Sequence, residues 1–124
     1  MVAKYSFFPG KPRWPLSKTH FTYSFQSSAQ APQGATEDIV IGFHRGNHKD
    51  GNPFDVLGGV LAHSFPPTRR WVHYDADEDW SSNPNLSQID LESIAVHEIG
   101  HGLGLGQYVY VHHFLHEYQE GSEC

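Results

Sequence analysis

Cysteine is almost missing from this chain of 124 residues: Cys124, at the very end, is the only one. No internal disulfide is possible, so cysteine neither staples the fold nor fixes a redox compartment. Basic residues are also scarce. Eight Lys and Arg stand against 14 Asp and Glu, a formal net charge of −6 with His neutral. That balance argues against a nucleic-acid partner, because phosphate recognition needs a basic face. No apolar run is long enough to span a bilayer. The opening MVAKYSFFPGKPRW lacks the apolar core of a signal peptide, so the chain reads as cytosolic or as a mature fragment. Apolar residues make up only 38%, yet aromatics reach 14%, which suits one domain with a modest aromatic-rich core.

Histidine is what the chain has in excess. Ten His outnumber the Lys and Arg together. Imidazole is the commonest protein ligand for metals, so metal sites are the first chemistry to seek.

Periodicity places the elements. THFTYSF (19–25) alternates, with Phe21, Tyr23 and Phe25 on one face, and predicts a strand. QSSAQAPQGATED (26–38) is a polar connector, and IVIGF (39–43) is a buried strand. HRGNHKDGNPFDVLGG (44–59) reads as a long loop, followed by strands at VLAHSF (60–65) and WVHYD (71–75). DEDWSSNPNL is a further loop. Ser87, with Asp90 three residues on, is the expected cap of a helix through LESIAVHEIGHGL. Its apolar stripe would be Leu91, Ala95 and Ile99. Gly100 and Gly102 cost that helix about 1 kcal/mol each relative to Ala, so something other than stability favours small residues there. Gly104 is a left-handed stop. A second short helix in the tail would align Val111, Leu115 and Tyr118.

His97 and His101 are four residues apart, so a helix projects them from one face. Two imidazoles there can grip one zinc ion. Glu98 is rotated off the pair, where it can act as general base without ligating.

HEIGHGLGLG (97–106) resembles the metzincin signature H-E-x-x-H-x-x-G-x-x-H in the form used by matrixins, the matrix metalloproteinases. The resemblance implies a third zinc ligand at position 107, and that residue is Gln107. His112, His113 and His116 follow closely and are candidate substitutes. The family also carries a downstream methionine turn, whereas the only methionine here is Met1.

HKDGNPFDVLGGVLAHSFPP and WVHYDADEDW are similar to the matrixin loop-and-strand block. By that match His48, Asp50, His63 and His73 hold a second, structural zinc; three imidazoles and a carboxylate also make a closed four-ligand set. The same match implies a calcium site from the side chains of Asp55, Asp75 and Glu78 with carbonyls at Val56, Gly58 and Val60. Val56 and Leu57 replace the usual Gly-Pro, a place of strain if that turn needs positive φ. Asp38 matches a ligand of another calcium site, whose remaining ligands have little loop to come from in PTRR. SQIDLESIAVHEIGH looks most like the plant members.

The similarity covers roughly residues 4–106 of a single domain spanning 1–124, and the tail 107–124 diverges. The family's long helix between the first two strands is replaced by the polar connector. One sheet face should therefore be left uncovered, which marks an aggregation or partner surface. The resemblance implies an α+β fold, a small twisted mixed sheet with the HExxH helix beneath it. It implies a zinc-dependent endopeptidase with calcium, peptide or protein substrates and an extracellular or cell-surface setting. The edge strand VLAHSF would pair with extended substrate. The alternative is a catalytically weak or inactive metal-binding domain.

Overall fold

Alternation along WVHYD sorts the molecule into two faces. The computed structural model describes residues 5–26 and 36–108. In chain order come β1 (Tyr5–Phe7), β2 (Tyr23–Gln26), β3 (Ile39–His44), β4 (Ala62–Ser64), β5 (Trp71–Asp75), β6 (Trp80–Ser81), β7 (Ile89–Asp90), α1 (Leu91–Gly102) and β8 (Leu105–Tyr108). The main sheet has the order β2-β3-β5-β4. β2 and β5 run parallel to β3, and β4 runs antiparallel to β5, so the sheet is mixed as expected.

Successive side chains of a strand point to opposite faces. Val72 and Tyr74 therefore share one face with their partners Ile41, Phe43 and Ala62. There they join Ile39, Leu61, Ile89 and Ile94 in the core. His73 and Asp75 go to the opposite face, beside His63, Gly42 and His44. One face builds the core and the other gathers imidazoles and carboxylates.

α1 lies on the core face, against β4 and β5. Ser64 fixes the contact, its hydroxyl donating to the Glu98 carbonyl at 2.8 Å. The cap is Asp90, not the expected Ser87. Asp90 accepts from the Glu92 N–H at 3.1 Å and the Ser93 hydroxyl at 2.6 Å. Ile89 and Asp90 are committed to pairing with β6, which delays the helix start by a turn. The buried helix positions are Ile94, Glu98, His101 and Gly102, with Leu91 and Ala95 at the flank. The stripe is thus centred on Ile94, because the docking surface is β4 and β5. Gly104 ends the helix at φ +112°, as expected.

β2 begins later than the alternation over 19–25 suggests. Its ladder with β3 starts at Tyr23↔Ile39. Just before it, Thr22 is tied to Asp38 instead, by its N–H to the carboxylate at 2.8 Å. In register with Ile39 and Ile41, Tyr23 and Phe25 lie on the core face, yet they are 66% and 70% exposed. α1 covers the β4–β5 half of the sheet and leaves the β2 half open. The strand pair β1–β8 was not foreseen, and the proposed tail helix lies outside the described residues.

Candidate metal centres

Two elements and one loop bring four donor atoms to a point on the polar face. β4 and β5 supply His63 and His73, which are direct cross-strand partners. The loop after β3 supplies His48 and Asp50, separated by Lys49 at φ 66°. Asp50 Oδ2 lies 2.7 Å from His48 Nε2, 2.5 Å from His63 Nε2 and 2.8 Å from His73 Nδ1. Among the described residues this is the one group of three or more His, Cys, Asp or Glu whose ligand atoms all lie within 4.8 Å of one another.

Electrostatics make that cluster short of positive charge. The Asp50 side chain is fully buried. Burial works to raise its carboxyl, but the Asn52 N–H and the imidazoles of His63 and His73 outweigh it and hold it far below the usual range. Burial also lowers His63, and it drives His73 down to about 4 against the pull of Asp50. At neutral pH this is a buried carboxylate beside the neutral imidazoles of His63 and His73, which suits a divalent cation. Ligands of a tetrahedral zinc at ~2.0–2.1 Å stand roughly 3.3 Å apart, so Asp50 needs to draw back from the imidazoles by about half an ångström or a little more. The His48 tautomer is set as well: Nδ1 faces the Gly46 carbonyl at 2.9 Å, which leaves Nε2 for the cluster.

Aromatic packing walls the cluster in. Phe54 is buried and stacks on His48 at 4.9 Å, while Trp71 stacks on His73 at 5.8 Å. His44, in the stretch expected to be loop, is the last residue of β3. It is buried, stacks on His48 at 5.1 Å and meets His73 edge-on at 4.4 Å. Its parity with Gly42 was the available signal: a Cβ at Gly42 would run into the His44 ring.

The helix site is a pair. His97 Nε2 and His101 Nε2 lie 3.0 Å apart, and His101 Nδ1 faces the Leu105 carbonyl at 2.8 Å. Burial, followed by the neighbouring His101, lowers His97 to about 4. Glu98 has no exposed surface. Tyr74 is raised far above the ordinary phenol value by burial, and the Glu98 charge adds to that. The backbone of Gln107 is part of β8; its side chain lies outside the described residues, as do His112, His113 and His116.

The acidic loop forms a looser group. Asp55 accepts from the Val60 N–H at 2.9 Å and Glu78 from the Gly58 N–H at 2.6 Å. A Cβ at Gly59 would overlap the Asp55 carboxylate. Asp75 Oδ1 accepts from the Asp77 N–H at 2.9 Å, while buried Oδ2 has no hydrogen-bond partner. Burial raises Asp75, and the Asp55 charge adds to it. Burial raises Glu78 too, against the Gly58 N–H and with the charges of Asp75 and Asp55. An orphaned buried oxygen on Asp75, with the Asp55 charge opposing its ionisation, fits a hard cation. Val56 and Leu57 do not adopt positive φ, so the strain anticipated there is not present.

Asp38 is engaged within the chain. Its carboxylate pairs with Lys18 at 2.7 Å and accepts from Thr22 N–H and hydroxyl at 2.8 and 3.1 Å. Each oxygen thus has a partner within the chain.

The Matrixin family profile matches residues 13–120. The chain is 44% identical to Metalloendoproteinase 5-MMP of Arabidopsis thaliana, over 83% of this chain and 38% of that protein. It is 37% identical to Metalloendoproteinase 1 of Glycine max, over 86% of this chain and 45% of the relative. Interstitial collagenase of Equus caballus is 36% identical over 84% of this chain and 28% of its own length. The chain thus spans less than half the length of these relatives.

Proposed function

The chain belongs to the matrixin family, and from that premise we propose that it is a zinc-dependent endopeptidase domain acting on extracellular proteins. His97 and His101 hold the catalytic zinc. His48, Asp50, His63 and His73 hold a structural zinc that pins the loop after β3. Asp55, Asp75 and Glu78, with carbonyls of Val56, Gly58 and Val60, hold calcium. The observation that carries the catalytic reading is the convergence of the His97 and His101 Nε2 atoms to 3.0 Å on the HExxH helix.

Zinc held there supplies Lewis acidity toward the scissile carbonyl. The remaining chemistry falls to the protein. Glu98 takes a proton from the attacking water as the oxygen–carbon bond forms, then passes it to the leaving amine as the peptide C–N bond breaks. β4 is an edge of the main sheet, so its outer backbone groups can pair with an extended substrate.

A second reading is a metal-stabilised domain with little or no turnover. Two features favour it: Gln107 stands where the family pattern asks for imidazole, and Glu98 has no exposed surface. Zinc stoichiometry, measured alongside hydrolysis of a generic quenched peptide, separates the two. Two zinc ions per chain with turnover supports the enzyme. One zinc ion and no turnover overturns that reading in favour of the module.

A further inference from the structure

We infer that the N-terminal segment 7–14 is a clamp that positions His101 for metal binding, an inference that rests on the reading of His97 and His101 as metal ligands. The link runs through a backbone carbonyl. His101 Nδ1 donates to Leu105 O at 2.8 Å, which fixes the tautomer and leaves Nε2 as the free donor atom. Leu105 opens β8, and its register partner is Phe7 of β1. Gly104, at φ +112°, lies between the last turn of the helix and that carbonyl, so the His101 ring is the helix's contact with it.

The segment touches the turn at every step. The Trp14 indole N–H donates to Gly102 O at 2.9 Å. The Phe8 ring packs on the His101 ring at 5.7 Å. A Cβ at Gly104 would lie 3.1 Å from Pro12 O, and one at Gly106 would lie 2.8 Å from the Phe7 carbonyl carbon. The approach at Gly106 is closer than any residue with a side chain permits, so Gly106 is what lets β1 lie against β8. These contacts join residues some ninety positions apart to the one turn that orients a ligand. A turn braced by the segment on one side and by the helix on the other pre-organises the imidazole, so less ordering remains to be done when a metal binds. With Gln107 in place of a third imidazole, the orientation of the remaining two carries more of the affinity.

The test is a cobalt(II) titration of the full chain, read by visible absorption. The proteins are the wild type, Gly106→Val, Phe8→Ala and Phe8→Tyr. Loss of an oriented second-layer partner typically costs about 10–100-fold in metal affinity. Gly106→Val and Phe8→Ala should weaken the weaker site by that factor and alter its absorption band. The tighter site should stay filled, and Phe8→Tyr should restore wild-type behaviour. If Gly106→Val also empties the tighter site, it has disrupted the fold, and Phe8→Ala against Phe8→Tyr decides. A second cobalt equivalent bound equally by all four overturns the clamp while leaving the ligand reading intact. A wild type with no second equivalent, or one that survives His97→Ala, overturns the ligand reading and the clamp with it.

Discussion

His63 and His73 are cross-strand partners, and both face the same Asp50 oxygen, at 2.5 and 2.8 Å. Neighbouring positions on one sheet face stand about 5 Å apart, which suits two ligands of one ion. The loop then needs to deliver only His48 and Asp50. Replacing His63 with Ala should release one zinc equivalent and lower the melting temperature, because the loop loses its anchor. Metal analysis and calorimetry on the two proteins check this. Unchanged metal content and stability would sink the structural-zinc assignment.

Acid should destabilise the metal-free protein in a definite window. His73 and His97 are held near 4 in the fold by burial, while an exposed imidazole titrates at about 6.5. Between these values the unfolded chain binds more protons, so stability rises with pH. The contribution is complete above about 6.5 and is lost as the pH falls toward 4. Urea midpoints of chelator-treated protein should drop between pH 7 and pH 5, with a smaller drop in His97→Gln. A flat profile would contradict this account.

Calcium should act through Asp75. Its Oδ2 atom is buried without a partner, and the Asp55 charge opposes its ionisation. Adding calcium should raise the melting temperature of the wild type but not of Asp75→Asn. Without calcium the substitution should cost little, since it removes a repelled charge. An equal calcium response in both proteins would rule the site out.

Much of this arrangement was legible in the sequence because it is local or periodic. WVHYD is a strand from end to end, and its alternation alone sends His73 to one face and Tyr74 to the other. The HExxH spacing fixes the helix pair. The pairing of β1 with β8 was not legible, since YSF and LGQY carry no strong period and lie about a hundred residues apart. His44 was missed because the strand runs one residue beyond its apolar stretch. The exposure of Tyr23 and Phe25 was legible in the polar composition of 26–38, which has no apolar periodicity.

Peptide hydrolysis should depend on Glu98. Glu98→Gln keeps the shape and removes the base, so turnover should fall by roughly 10²–10⁴-fold with zinc content unchanged. Because Glu98 is fully buried, loss of the charge should also relieve Tyr74, whose deprotonation it opposes. A downward move of the tyrosinate titration in the variant would report that coupling directly. Full activity in Glu98→Gln would assign the hydrolysis to another group.

Position 107 decides how much of an enzyme the chain is. Zinc favours nitrogen and sulfur donors, and a Gln amide offers a weak neutral oxygen. Gln107→His should therefore tighten zinc at the helix site and raise hydrolysis. The recovery should be partial, because β8 is already paired with β1 and its Leu105 carbonyl is engaged by His101. A histidine that pulls the strand toward the metal works against both contacts. Zinc titration of the two proteins in matched buffer reads the difference. Equal affinity leaves two explanations, and replacing His112, His113 and His116 together by Ala separates them. Loss of zinc then means that the tail supplies the third imidazole. No change means that position 107 never reaches the metal, and the helix site binds through two imidazoles alone.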